Sequence, residues 1–115
     1  MDTRSPFEQI AELDRRIHEP TRLAILTALA ACKNADFLAL QRLTGLSKGN
    51  LSSHLAKLEE TGLVNIEKRF IGKKPNTLAS LTEVGRQLLS DYWKHLERLR
   101  AGAARWRKTP ATRPG

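Results

Sequence analysis

The stretch SKGNLSSHLAKLEETGLV, residues 47–64, decides the fold of this chain. Its apolar residues recur at steps of three and four, as on one face of a helix. They are Leu51, Leu55 and Leu58. Ser47 predicts the helix start, because its hydroxyl can accept a hydrogen bond from a free first-turn N–H. Gly62 ends the helix, and an apolar segment typical of a strand begins at Leu63.

The side of this helix away from the leucines, which we name the recognition face, is polar and basic. It consists of Ser47, Lys48, Gly49, Asn50, Ser52, Ser53 and Lys57. Short side chains that donate or accept hydrogen bonds, together with lysines that can bind phosphates, suit a helix that lies in the major groove of DNA. The alternative is an ordinary exposed surface, but such surfaces mix Glu with Lys, and the first acid here is Glu59. We therefore predict DNA contacts from this face.

Three helices are predicted upstream. The first covers residues 6–17, and the second runs from residue 20 to about residue 32. The third opens at Asp36 as a possible cap, although Phe37 could instead sit in a brief strand, and it closes at Gly45. Only a short turn then separates it from the recognition face, which is the helix–turn–helix arrangement.

A β-hairpin, which we name the wing, is predicted after the recognition helix. Apolar and polar residues alternate over residues 64–71, and residues 77–81 form a returning strand. Residues 72–76, GKKPN, form the turn between them. Lysines beside a stiffening proline suit phosphate contacts, and a merely soluble turn is the alternative. The predicted wing contacts are Lys73, Lys74 and Asn76.

A long last helix is predicted from a cap at Thr82 toward Trp106. It carries more apolar surface than a small domain can cover, so we predict that a second copy of the chain covers it, together with residues of the first helix. The predicted dimer contacts are Phe7, Ile10, Leu89, Tyr92, Leu96, Leu99 and Trp106. The alternative is that the last helix packs back on the first helix of its own chain.

These elements predict a mainly α fold with a small β-hairpin (α+β), a winged helix–turn–helix with N- and C-terminal dimerisation helices. The predicted division has four parts. Residues 1–19 form a first helix for dimer contact, and residues 20–82 form the winged core. Residues 83–108 form the C-terminal dimerisation helix, and residues 109–115 form a disordered basic tail.

Charge and composition narrow the class of partner. The net charge is +8: residues 42–74 carry +4, residues 98–115 carry +6 and the rest of the chain carries −2, and these basic segments favour a polyanion as partner. The single Cys32 and the scattered histidines lack metal-ligand spacing, so we expect no metal, no cofactor and no enzymatic activity. No apolar run reaches the ~20 residues of a membrane span, and the N-terminus has no apolar signal core. We therefore expect no membrane contact and a cytoplasmic location.

Three segments resemble small winged-helix transcriptional regulators related to the MarR and ArsR groups. They are HEPTRLAILTAL (18–29), LTGLSKGNLSSHLAKLEETGLVNIEKRF (43–70) and GKKPNTLASLTEVGR (72–86). The nearest pattern is a compact subfamily with a GNLSSHL recognition helix and LTxxGR after the wing. The resemblance implies a dimeric, sequence-specific binder of double-stranded DNA, with the helix in the major groove and the wing along the backbone or minor groove. Residues 39–42 lack the paired cysteines of metal-sensing ArsR proteins, so metal sensing is not implied.

We therefore expect a homodimeric transcriptional regulator that binds operator DNA, with repression as the first expectation. The sequence itself leaves repression and activation open, and it identifies neither the operator nor a small-molecule effector. The alternative is a winged helix that binds a protein partner and has no useful affinity for DNA.

Overall fold

The computed structural model of the chain describes residues 3–107, which form five helices and three strands. In chain order they are α1 (Pro6–Ala11), α2 (Pro20–Ala31), β1 (Ala35–Asp36), α3 (Phe37–Thr44), α4 (Lys48–Glu60), β2 (Val64–Ile71), β3 (Lys74–Leu81) and α5 (Glu83–Ala104). This mainly helical fold with a small antiparallel sheet confirms the predicted class. Lys108 and the predicted basic tail, residues 109–115, lie outside the described residues. No helix between residues 3 and 107 combines the length and apolar character that a membrane span needs.

Capping residues set the helix boundaries where the sequence indicated them. The Asn50 N–H donates to Ser47 Oγ at the start of α4, at 3.1 Å. The Ala39 N–H donates to Asp36 Oδ1 at the start of α3, at 2.8 Å. Gly45 ends α3 with a φ of 72°, in the left-handed region that glycine adopts without a steric penalty. The predicted starts of α3 and α4 and the end of α3 are confirmed.

The core lies between α2, α3, α4 and the base of the sheet. Its fully buried side chains include Ile25, Leu26, Leu29, Leu40, Leu51, Leu58, Leu63 and Val64. Leu55 is also buried, so the predicted leucine stripe of α4 is confirmed. Because three leucines of α4 enter this core, packing fixes the rotation of α4 about its axis.

The sheet has three antiparallel strands in the order β1-β3-β2. β1 pairs with β3 through Ala35 and Asp36. It is the brief strand that the sequence left open, but it lies directly before Phe37. β2 and β3 form the predicted wing. The sheet is therefore three strands wide near the core and two strands wide at the far end.

The turn of the wing is shorter than predicted. Ile71 pairs with Lys74, so only residues 72–73 connect the strands and the prediction of a turn over residues 72–76 is wrong. Gly72 has a φ of 64°, which suits the first position of a two-residue hairpin turn. Hydrogen-bonded and non-bonded pairs alternate along antiparallel strands. The pair Phe70–Pro75 follows the hydrogen-bonded pair that closes the turn, so the nitrogen of Pro75 points away from β2. It lies on the outer edge of β3, at a position that β1 does not reach. A proline is tolerated at such an edge.

The first helix is also shorter than predicted, since α1 ends at Ala11 rather than at Ile17. The Arg16 N–H donates to Asp14 Oδ1 at 2.9 Å, and the Ile17 N–H donates to the Asp14 carbonyl at 3.2 Å. Side chains that bond their own neighbouring backbone compete with the helix. Leu13 and Ile17 are nevertheless buried, because the turns keep them on the core side.

α5 begins against the turn between α4 and β2. The Thr82 N–H donates to the Leu63 carbonyl at 3.1 Å. A Cβ added to Gly85 would lie 2.1 Å from the same carbonyl oxygen, so only glycine permits this approach. The helix then continues to Ala104 and ends just before Trp106.

Candidate nucleic-acid interface

The recognition face of α4 is open to solvent. Each of its residues is exposed, namely Ser47, Lys48, Gly49, Asn50, Ser52, Ser53 and Lys57. The acids of α4, Glu59 and Glu60, stand at its C-terminal end. The N-terminal end adds the positive pole of the helix dipole. The exposed surface is therefore polar and positive where the helix begins.

A contact between His54 and Glu19 joins α4 to the start of α2. His54 Nδ1 lies 3.8 Å from Glu19 Oε2. Glu19 also accepts the N–H groups of Thr21 and Arg22, at 3.1 and 3.0 Å. Burial opposes ionisation of this carboxyl, but the N–H donors and the nearby imidazole outweigh it and lower the pKa of Glu19. The half-buried His54 thus faces the protein rather than the recognition face.

The three predicted wing contacts differ in their surroundings. Lys73 and Lys74 are exposed, whereas Asn76 is half-buried. Arg69 Nε donates to Asn76 Oδ1 across the two strands, at 2.9 Å. The amide oxygen of Asn76 is therefore engaged within the wing, and its NH₂ group is the part left for a partner.

Two grooves join the recognition face to the wing. One, of about 570 Å³, has a lining that includes Leu38, Gln41, Lys48, Ser52, Pro75, Asn76 and Thr77. The other, of about 260 Å³, lies between α4 and the wing, and its lining includes Ser52, Ala56, Glu59, Ile66, Lys68 and Thr77. The structure thus brings Lys48, Ser52 and Asn76 around one groove. Lys73 and Lys74 lie farther along the wing, and neither groove includes them.

Three of the predicted dimer contacts are buried within their own chain. They are Leu89, Tyr92 and Leu99. The prediction that a second copy is needed to cover these side chains is wrong, because α1, α2 and β3 pack against α5 in the same chain. The two helices α1 and α5 are close here, since a Cβ added to Gly102 would lie at an ordinary van der Waals distance of 3.8 Å from Pro6. The alternative, in which the last helix packs back on its own chain, therefore holds for these three residues.

The remaining predicted dimer contacts keep accessible apolar surface. Phe7 is 50% exposed and Trp106 is 42% exposed. Their rings meet edge to face, with centroids 5.4 Å apart. Ile10 and Leu96 are half-buried beside the core. An apolar patch therefore remains near the ends of α1 and α5.

Sequence reasoning missed a contact between the segment before α2 and α5. His18 Nδ1 and Tyr92 OH lie 2.8 Å apart, within hydrogen-bond distance, although 74 positions separate them. Tyr92 also lines a cleft of about 360 Å³ between the N-terminal segment and α5. Nothing in the sequence indicated this contact, because periodicity carries no signal for so distant a pair.

The helix–turn–helix, the exposed basic face and the adjoining wing define a winged-helix DNA-binding protein. The sequence model of the family described as "Winged helix DNA-binding domain" matches residues 21–100, and the chain belongs to this family.

The chain is similar to transcriptional regulators. A transcriptional regulator homologue from Pyrococcus horikoshii OT3 matches with a TM-score of 0.76 and 28% identity, over 85% of this chain and 96% of that one. The HTH-type transcriptional regulator YgaV of Escherichia coli (strain K12) is 36% identical over 61 residues, or 53% of this chain and 62% of that protein. A MarR-family regulator from Silicibacter pomeroyi shares the fold, with a TM-score of 0.63 and 19% identity over 87% of this chain and 66% of that one.

These findings confirm a winged-helix DNA-binding domain and a role in transcription regulation; the likeness to the MarR-family protein is one of fold. The match spans less than two thirds of the lengths of YgaV and the Silicibacter protein. The individual contact residues and the division of the chain remain predictions.

Proposed function

We propose that the protein is a homodimeric, sequence-specific regulator that places α4 in the major groove of operator DNA and the wing on the adjacent backbone or minor groove. The observation that carries this proposal is the groove shared by Lys48 and Ser52 of α4 with Asn76 of the wing. Because both elements border one open groove, one duplex can contact both.

The recognition face divides by chemistry into base-reading and phosphate-binding groups. Asn50, Ser52 and Ser53 present short donors and acceptors that suit base edges in the major groove. Lys48 and Lys57 suit the phosphates on either side of the groove, as do Lys73 and Lys74 on the wing. Asn50 is the best placed to carry specificity, since an exposed amide can bond an adenine edge bidentately.

The proposed dimer uses the N- and C-terminal helices. Phe7 and Trp106 supply exposed aromatic surface at one end of the molecule, with Ile10 and Leu96 beside it. A two-fold pair would present two α4 helices to two half-sites, which a single winged helix cannot do. In this proposal residues 1–19 and residues 83–108 hold the pair together, and residues 20–82 bind DNA.

Repression is the proposed direction, because a compact dimer bound across a promoter blocks the polymerase sterically. Since its proposed ligand is chromosomal DNA, we also propose a cytoplasmic location. A reporter gene behind a bound promoter tests the direction. Expression should fall when the protein is supplied, and a rise would show activation instead.

The main test is a salt series on a duplex selected by the wild-type protein from a random pool. Lys73→Ala with Lys74→Ala should weaken binding and reduce the slope of log K against log [salt] by about two units, if each lysine holds one phosphate. The matched control is Lys33→Ala with Lys94→Ala, which removes the same charge from exposed positions outside the recognition face and wing. Equal slopes for the two double variants would remove the wing from the proposal.

Specificity is tested on the same duplex and on its single-base variants. Asn50→Ala should lower the preference for one base pair by about 1–3 kcal/mol and leave the salt slope unchanged. If the wild-type protein retards no duplex even at low salt, the DNA-binding proposal fails and a protein partner becomes the better hypothesis.

Sedimentation equilibrium tests the dimer. The wild-type chain should sediment as a dimer, and Phe7→Ser with Trp106→Ser should shift it toward the monomer. A monomeric wild-type protein at all concentrations would contradict the two-fold arrangement.

A further inference from the structure

The end of the wing carries large apolar side chains among its basic residues. Phe70 is 72% exposed and Ile71 is 57% exposed. Phe70 pairs across the wing with Pro75, so the two side chains are neighbours on the same face of the ribbon. Neither Phe70 nor Ile71 belongs to the core cluster or to the half-buried residues packed against it. Packing within the chain therefore does not account for this apolar surface.

Strand alternation places Phe70 and Ile71 on opposite faces of the wing. Ile66 and Lys68, four and two positions before Phe70, line the groove between α4 and the wing. Thr77, two positions after Pro75 on β3, lines the same groove. Residues of both strands therefore put Phe70, with Pro75 opposite it, on the side that faces α4. Ile71 lies on the other side.

We propose that Phe70, supported by Pro75, is an apolar contact to DNA that packs against the deoxyribose wall of the minor groove beside the site read by α4. The inference rests on the proposed function and adds a residue to it. A phenyl ring gains nothing from a phosphate, and the apolar surface that a duplex offers next to the major-groove site is the sugar wall of the minor groove. Apolar side chains are used in this way by proteins that bind the minor groove.

The charge around Phe70 fits the same occupant. Lys68 and Arg69 precede it, and Lys73 and Lys74 follow the turn, all of them exposed. These cations can hold the phosphates that border the minor groove while the ring lies between them. A contact of this kind senses groove width and the ease of deforming the base steps rather than the pattern of donors and acceptors. Phe70 would therefore contribute to the choice of flanking sequence.

The first test compares Phe70→Ala with Ile71→Ala on a duplex selected by the wild-type protein. Loss of the ring should weaken binding about tenfold, as expected for partial burial of a phenyl group. Ile71→Ala is the matched control, because it removes a neighbouring exposed apolar side chain from the opposite face, and it should change affinity less than about twofold. Phe70→Leu should give an intermediate affinity. The salt slope should stay at the wild-type value in all three variants, because no phosphate contact is removed.

Hydroxyl-radical cleavage locates the contact, because the radical attacks deoxyribose hydrogens that are accessible in the minor groove. The wild-type protein and Ile71→Ala should protect sugars in the minor groove that flanks each half-site. Phe70→Ala should lose that protection and keep the others. Circular dichroism and urea midpoints verify that each variant is folded.

Four results would overturn the inference. Affinity of Phe70→Ala equal to the wild type, or equal losses in both alanine variants, would reject the contact and leave DNA binding in place. A shallower salt slope in Phe70→Ala would assign its effect to displaced lysines. Failure of the wild-type protein to bind any duplex would reject the proposed function and this contact together.

Discussion

The two ends of the wing have opposite surroundings. At the base, the Thr82 N–H donates to the Leu63 carbonyl at 3.1 Å, and the Thr82 hydroxyl donates to the Gly62 carbonyl at 2.7 Å. Gly85 packs its Cα against the same Leu63 carbonyl. At the far end, Phe70 and Ile71 are exposed and belong neither to the core cluster nor to the residues packed against it. The base is fixed by contacts to the backbone carbonyls of residues 62 and 63, whereas the end is free to meet a partner.

The difference teaches how a small domain aims a projecting hairpin. Backbone-to-backbone contacts leave no rotamers through which the base could adjust, so they fix the direction of β2 and β3 relative to α4. The end can then vary in sequence without moving the base. We expect substitutions at the base to act on stability and substitutions at the end to act on binding.

The largest expected effect is at Gly85. Gly85→Ala places a methyl group 2.1 Å from the Leu63 carbonyl oxygen, and only a backbone shift can relieve the clash. The free energy of unfolding in urea should fall by about 3 kcal/mol, at the upper end of ordinary overpacking costs. Gly49→Ala is the control, because a Cβ there meets nothing within 4 Å, and it should be neutral or stabilising by up to about 1 kcal/mol. Equal losses at both glycines would break the contrast between base and exposed face.

The next effect is at Thr82, whose hydroxyl has two partners. It accepts the Gly85 N–H at 2.9 Å and donates to the Gly62 carbonyl at 2.7 Å. Thr82→Val keeps the shape and removes both hydrogen bonds, so unfolding in urea should show a loss of about 2 kcal/mol. Ser47→Ala removes a cap with one partner and should lose about 1 kcal/mol. A smaller loss of unfolding free energy for Thr82→Val than for Ser47→Ala would contradict the stabilising role of the base of the wing.

A smaller, pH-dependent effect is expected at Glu19, which joins α2 to His54 of α4. Its pKa in the folded chain lies below its ordinary value of 4.5. The ionised carboxylate therefore stabilises the fold above pH 4.5, and this contribution is lost as the pH falls through the lowered folded pKa. Urea unfolding from pH 6 down to about pH 3 should show a steeper loss for the wild type than for Glu19→Gln. If the unfolding free energies of the two proteins fell in parallel with pH, the carboxylate of Glu19 would not stabilise the fold.

The smallest effect on stability is expected at the end of the wing. Phe70→Ala and Ile71→Ala should each change the free energy of unfolding by less than about 0.5 kcal/mol, as exposed positions do. Urea titrations in the absence of DNA measure this directly. A loss above about 1 kcal/mol would show that the end of the wing stabilises the fold, and it would contradict the distinction between the base and the end.

Local sequence signals were sufficient for much of the fold. The caps at Asp36, Ser47 and Thr82 were predictable because each depends on a side chain and an N–H three residues later. The end of α3 at Gly45 depends on one residue. The exposure of the recognition face followed from the leucine period, since residues opposite a buried stripe face solvent.

The remaining features depend on partners far along the chain. Nothing near Gly85 in the sequence indicates the distant Leu63 carbonyl that excludes a side chain there. The burial of Tyr92 could not be separated from a dimer contact, because an apolar stripe does not identify what covers it. The length of the wing turn was misjudged because Pro75 signals a turn, whereas the open edge of β3 accepts it within a strand.

The continuous pairing of the wing, from Val64 and Leu81 up to the two-residue turn, has an evolutionary consequence. Inserting one residue into each strand would lengthen the hairpin by about 3.4 Å but would turn every more distal side chain to the opposite face. Only paired insertions, two residues in each strand, extend the reach by about 7 Å and preserve orientation. The length of such a hairpin can therefore drift only in discrete steps while the same face continues to meet its target.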